Sequence, residues 1–116
     1  MNKIYGLEPL GGKFQVGFIN IDMVYRGFNS WQVDKIGLIE GNKIYKLEPL
    51  GSKFQVGFIE AGMVYRGANL WNGDKIGTIE NNNVYRFEPL GSKFQIGYID
   101  FPSIQAGAAL LLLLNY

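Results

Sequence analysis

A chain of 116 residues with 47% apolar, 15% aromatic and 18% charged residues has a globular composition and enough length for one domain around a modest core. Eleven Lys and Arg against ten Asp and Glu leave a formal charge of +1. The two signs alternate along the sequence, which predicts no field that would gather phosphate and argues against nucleic acid as a partner. Cysteine and histidine are both absent, which excludes disulfides, thiol chemistry, the usual structural zinc sites and the commonest general base.

Met1 to Tyr5 run directly into a strand-like pattern with no charged-then-apolar leader, so a cytoplasmic location is expected. From there the chain repeats itself. EPLGGKFQVGFI at 8–19 returns as EPLGSKFQVGFI at 48–59 and EPLGSKFQIGYI at 88–99, and between them GFNSWQVDKIGLIE at 27–40 returns as GANLWNGDKIGTIE at 67–80. Overlaying the two types gives a 20-residue unit starting near residues 4, 24, 44, 64 and 84, with Tyr at 5, 25, 45, 65 and 85, Gly at 17, 37, 57, 77 and 97, and Ile at 19, 39, 59, 79 and 99.

Each unit carries two runs rich in aromatic and β-branched residues, such as KIYKLE and FQVGFIE. The second run of one unit meets the first of the next through Ile21-Asp22, Gly41-Asn42, Ala61-Gly62 or Asn81-Asn82, and the Gly and Asn among these suit the positive φ of tight hairpin turns. Pairing about the first turn sets Ile19 against Val24, Phe18 against Tyr25 and Gly17 against Arg26. Both hairpin faces are then partly apolar, which favours a closed or rolled sheet over a flat one. A lone strand over Lys3 to Glu8 and another over Phe94 to Asp100 remain, and their pairing is expected to close the ring. The mid-strand glycines mark a bulge, a bend or a close approach.

After Phe101-Pro102-Ser103 the segment 104–116, IQAGAALLLLLNY, loses alternation and has the composition of a short buried helix. Its apolar run, Ala106 to Leu114, is far below the roughly 20 residues of a membrane span. A helix apolar on all sides needs cover on all sides, so it either plugs the ring or forms an interface between copies, and the plug is the favoured reading. The fold class expected for 1–116 is therefore all-β: about five antiparallel hairpins with paired termini and a C-terminal apolar helix.

The order of a Tyr-bearing strand, a loop, a strand ending G-x-I-[ED] and a tight turn resembles the bacterial hairpin-repeat proteins of the "beta flower" type, over residues 3–100. That resemblance implies hairpins set as petals about an axis, five here where that family has four, and implies no catalytic residue. Tyr25-Arg26-Gly27 and Tyr65-Arg66-Gly67 are also distantly similar to MORN repeats.

The candidate ligand-binding residues lie in the even-type loops, where Trp31 stands near Asn29 and Asp34, and Trp71 near Asn69 and Asp74. An indole face beside amide and carboxylate groups can stack on a sugar and bond its hydroxyls, though Trp in a small repeat also serves as packing. Glu8, Glu48 and Glu88, with Lys13, Lys53 and Lys93 five residues on, recur in identical copies, whereas an active site places one group in one perturbed environment. Glu40, Glu60, Glu80 and Asp100 supply one acid per turn, fewer than a calcium loop gathers. The reading is of a non-enzymatic scaffold without cofactor or metal, acting on a protein partner or on copies of itself, with a multivalent carbohydrate-binding module as the alternative.

Overall fold

The computed structural model describes residues 2–7, 12–27, 34–48, 51–67, 74–101 and 103–114. Among them are ten strands: β1 (Asn2–Leu7), β2 (Lys13–Asn20), β3 (Met23–Arg26), β4 (Asp34–Glu40), β5 (Lys43–Leu47), β6 (Lys53–Glu60), β7 (Met63–Arg66), β8 (Asp74–Glu80), β9 (Asn83–Phe87) and β10 (Lys93–Ile99). One helix follows, α1 (Ile104–Leu112). Every strand pairs antiparallel with its sequence neighbours, and β1 pairs with β10 through Ile4↔Ile99, Tyr5↔Tyr98 and Gly6↔Gly97, so the sheet is a closed barrel. The expected register about the first turn is present: Gly17↔Arg26, Phe18↔Tyr25 and Ile19↔Val24.

Closure through the termini is fastened by Asn2, which occupies the place that Asp22, Asn42 and Asn82 hold in later units. Its side-chain amide donates to the Phe101 carbonyl (3.1 Å), and its Oδ1 accepts from the Asp100 N–H (3.0 Å). Asn42 and Asn82 instead bond forward, their amides donating to the carbonyls of Ile59 and Ile99. The turns at 41–42 and 81–82 are thereby tied to the next hairpin.

The inner wall follows from strand alternation. Ile4, Val24, Ile44, Val64 and Val84 are fully buried, and the 19/39/59/79/99 isoleucines continue the same face. Five bulges interrupt the alternation, one per unit, where residues 16, 36, 56, 76 and 96 are passed over in the pairing. A bulge sets two successive side chains on one face, so Val16, Ile36, Val56, Ile76 and Ile96 pack on the core beside the glycines that follow them.

Helix α1 fills the barrel. Ser103 caps it by accepting from the Ala106 N–H (3.2 Å), and residues 106–111 are all buried. Gly107 lets it press against β8, because a methyl there would run into the Ile79 side chain. The next five residues are leucines, and each meets a different unit of the barrel. A Cβ on Gly97 would collide with Leu110, on Gly77 with Leu111, on Gly57 with Leu112, on Gly37 with Leu113 and on Gly17 with Leu114. Five consecutive leucines thus occupy five glycine notches in ring order. The tail is a plug, and the glycine column is the close approach that receives it. No helix among the described residues is long and apolar enough to cross a membrane.

Two stability predictions follow from this wall. Gly57→Ala places a methyl against both Leu112 and the Tyr65 carbonyl oxygen. It should cost at least about 2 kcal/mol, lowering the melting temperature by about 10 °C. Adding Leu112→Ala should not restore the loss, since the carbonyl is backbone. At the first turn Ile21 holds φ +60 and is 92% exposed, a β-branched residue in the left-handed region with no packing to offset it. Ile21→Asn, the residue found at position 81, should raise stability by about 1 kcal/mol in a denaturant melt.

Candidate functional site

Antiparallel order sends alternate connections to opposite ends. The turns at 21–22, 41–42, 61–62 and 81–82 share one end of the barrel with the N-terminus of α1, whose Gln105 amide donates to the Gly41 carbonyl (2.8 Å). The longer connections, after β1, β3, β5, β7 and β9, share the other end with the last turn of α1. This sorting acts on charge as well. By chain position nine of the eleven cations lie on the loop-end half of a strand and two, Lys3 and Lys43, on the turn-end half, although the ammonium groups of Lys53 and Lys93 reach along the wall to Glu40 and Glu80. Cations are thus more frequent at the strand ends that meet the longer connections.

Inside the loop end, the residue paired with each notch glycine points to the same face as that glycine. The pairs are Gly17↔Arg26, Gly37↔Lys46, Gly57↔Arg66 and Gly77↔Arg86, with Gly97↔Gly6 as the exception. Four cations therefore stand over the last turn of the helix, and an Arg26 Nη2 donates to the Leu113 carbonyl (3.5 Å). One strand further on, Arg26 and Arg66 pair with Asp34 and Asp74, whereas Lys46 and Arg86 pair with Phe54 and Phe94. Phe14, Phe54 and Phe94 are 41%, 44% and 44% exposed.

Two adjoining hollows open here. One of about 530 Å³ has Arg26, Lys35 and Lys46 beside Ile36, Leu47, Leu112 and Leu113, with Glu48 the carboxylate of its lining. The other, about 450 Å³, takes in Lys46, Phe54, Val56, Arg66 and Leu112. They share Lys46 and Leu112. The ion pairs among the described residues, Lys53–Glu40 and Lys93–Glu80, lie elsewhere, and the same lysines sit over the Tyr45 and Tyr85 rings (4.6 and 4.8 Å).

Of the residues proposed from sequence, Trp31, Asn29, Trp71 and Asn69 lie outside the described residues, as does the side chain of Asp34, which opens β4. Asp74 opens β8, exposed, at the loop end. The basic column 26, 46, 66, 86 does not stand out in the sequence, where each cation follows an ordinary strand run. Its signal was its pairing with the glycine column, which fixes it on the inner face. No family model, curated protein or solved structure matches the chain.

The barrel seam holds a group whose ionisation is shifted. The Tyr5 hydroxyl is pushed above its ordinary value by burial, and further by the Asp100 carboxylate, with which it is hydrogen-bonded. Folding thus favours the neutral phenol. Its contribution is complete below the unfolded tyrosine pKa of about 10 and is lost as pH rises through the higher folded value. Melting curves from pH 8 to pH 11 should show a fall in stability that Tyr5→Phe reduces.

Proposed function

We propose that this protein is a non-enzymatic interaction scaffold whose working surface is the loop end of the barrel. The observation that carries the reading is the filled lumen. In a ten-strand barrel the interior is the natural place for a ligand, and here the chain's own helix takes it, so the invariant columns of the repeat serve packing. What varies between odd and even units lies in the segments that join the strands at the loop end, on the cationic side of the molecule. The exposed Phe54 and Phe94 stand across from Lys46 and Arg86 there, the aromatic and basic chemistry of an interaction surface.

The carbohydrate reading has a specific support of its own, since both Trp-bearing segments connect strands at this same end and would give two equivalent contacts.

A comparison of faces tests the proposal. Immobilised protein is offered a lysate of its own cell, in parallel with a loop-face variant (Phe14→Ser, Phe54→Ser, Phe94→Ser) and a turn-face variant (Ile21→Ser, Phe101→Ser). The loop-face variant should keep its melt yet lose at least tenfold in capture, as hot-spot aromatics do, while the turn-face variant captures normally. Equal capture by both variants sinks the reading. Binding on a glycan array that disappears with Trp31→Ala and Trp71→Ala would favour the carbohydrate alternative.

A further inference from the structure

We infer that the paired hollows around Lys46 form a binding site for a small anionic amphiphile, a molecule with an apolar chain or ring and a carboxylate head. The inference goes beyond the scaffold reading and does not depend on it.

The argument starts from the lining. The apolar part is supplied by Leu112 and Leu113 of the plug, by the bulge residues Ile36 and Val56, and by Phe54. Leu112 and Leu113 are each seated on a barrel glycine, Ile36 and Val56 pack on the core, and Phe54 forms the exposed edge. At the shared boundary stands Lys46, with Arg26 in one hollow and Arg66 in the other. Arg26 and Arg66 have an aspartate as cross-strand partner, whereas Lys46 has Phe54. Lys46 forms no ion pair among the described residues. Glu48 of the first hollow lies beyond Leu47, nearer the loop than the cation.

An ammonium without an ion-pair partner among the described residues, set between two arginines over an apolar floor, is complementary to a carboxylate that carries hydrocarbon. Each hollow is within the roughly 300–1,000 Å³ of small-molecule sites. A simple anion would gain only the screened charge interaction, and a neutral hydrocarbon only the floor. The combination selects a molecule that has both. The helix dipole adds a constraint, since its negative end points into this mouth. A bound head group must therefore sit at the lysine rather than over the last carbonyls, which Arg26 engages.

Calorimetric titration of the full chain with decanoate, decanol and acetate, at concentrations below micelle formation, tests the site. Decanoate should bind with saturation, decanol at least tenfold more weakly, and acetate without measurable heat. Lys46→Gln should weaken decanoate at least tenfold and Lys46→Arg should restore most of it, while Lys93→Gln, on the outer wall, leaves it unchanged. A second variant, Phe54→Ser, should weaken decanoate and decanol alike. Absence of decanoate binding, equal binding of decanoate and decanol, or indifference to Lys46→Gln would each overturn the inference. So would sedimentation with phosphatidylglycerol vesicles without binding of monomeric decanoate, which would assign the cations to a membrane surface instead.

Discussion

Each of the five leucines that end the plug needs a place where the barrel wall has no side chain, and each repeat supplies one glycine for it. A strand interior is a poor place for glycine, which gives up conformational freedom and offers nothing to pack. Recurrence of that residue in every unit, beside a bulge that sets the preceding Val or Ile inward, is explained by what the helix brings. The fit is not trivial. Successive residues on an α-helix step by about 100°, whereas five units around a ring are spaced by about 72°, so a regular helix would drift out of phase with the notches. The end of α1 accommodates this: the N–H groups of both Leu113 and Leu114 converge on the Ala109 carbonyl, the second through a wider i→i−5 bond. A widened turn takes smaller angular steps, and the flexible leucine side chains absorb the remainder.

The plug also imposes an electrostatic condition. α1 carries no acid in its first turn and no base in its last, so nothing on the helix itself complements its dipole. The barrel supplies the complement of its C-terminal end, an inward ring of Arg and Lys where the helix stops. Charges placed this way stabilise a helix by a few tenths to about 1 kcal/mol each. The ring favours the helix direction that sets its C-terminal end at the loop end.

How far these features could be read from the sequence depends on whether they are local. The hairpins, their register and the closing pair of terminal strands follow from alternation and turn chemistry, which act over a few residues, and Gly17↔Arg26 or Ile4↔Ile99 could be found by counting. The buried character of residues 104–114 was legible for the same reason. The partner of each leucine was not, because a helical period and a ring period have no common phase until the last turn is distorted. Signs interspersed along the chain look neutral, and the gathering of Arg26, Lys46, Arg66 and Arg86 about the mouth shows only in their pairing with the glycine column. The glycine column points to a bulge, a bend or a close approach without choosing among them, and the opposite strand's skipped residue beside Gly17 shows that bulge and close approach occur together.

The interlock limits where function can reside. Residues at the inner-wall columns are held by contacts with the plug, so change there is paid in stability, and the outer tyrosines are engaged in ring stacking, as in Phe18–Tyr25 and Phe58–Tyr65, or lie under lysines. What the packing leaves open is the difference between unit types at the loop end: Phe or Asp across from the basic column, and Gly6 where the other four units have a cation. A five-fold repeat that has kept its core uniform and its mouth unequal has a direction around the ring as well as along the axis. That inequality places Lys46 over apolar side chains while Arg26 and Arg66 face carboxylate positions, so otherwise equivalent cations are left in chemically distinct surroundings.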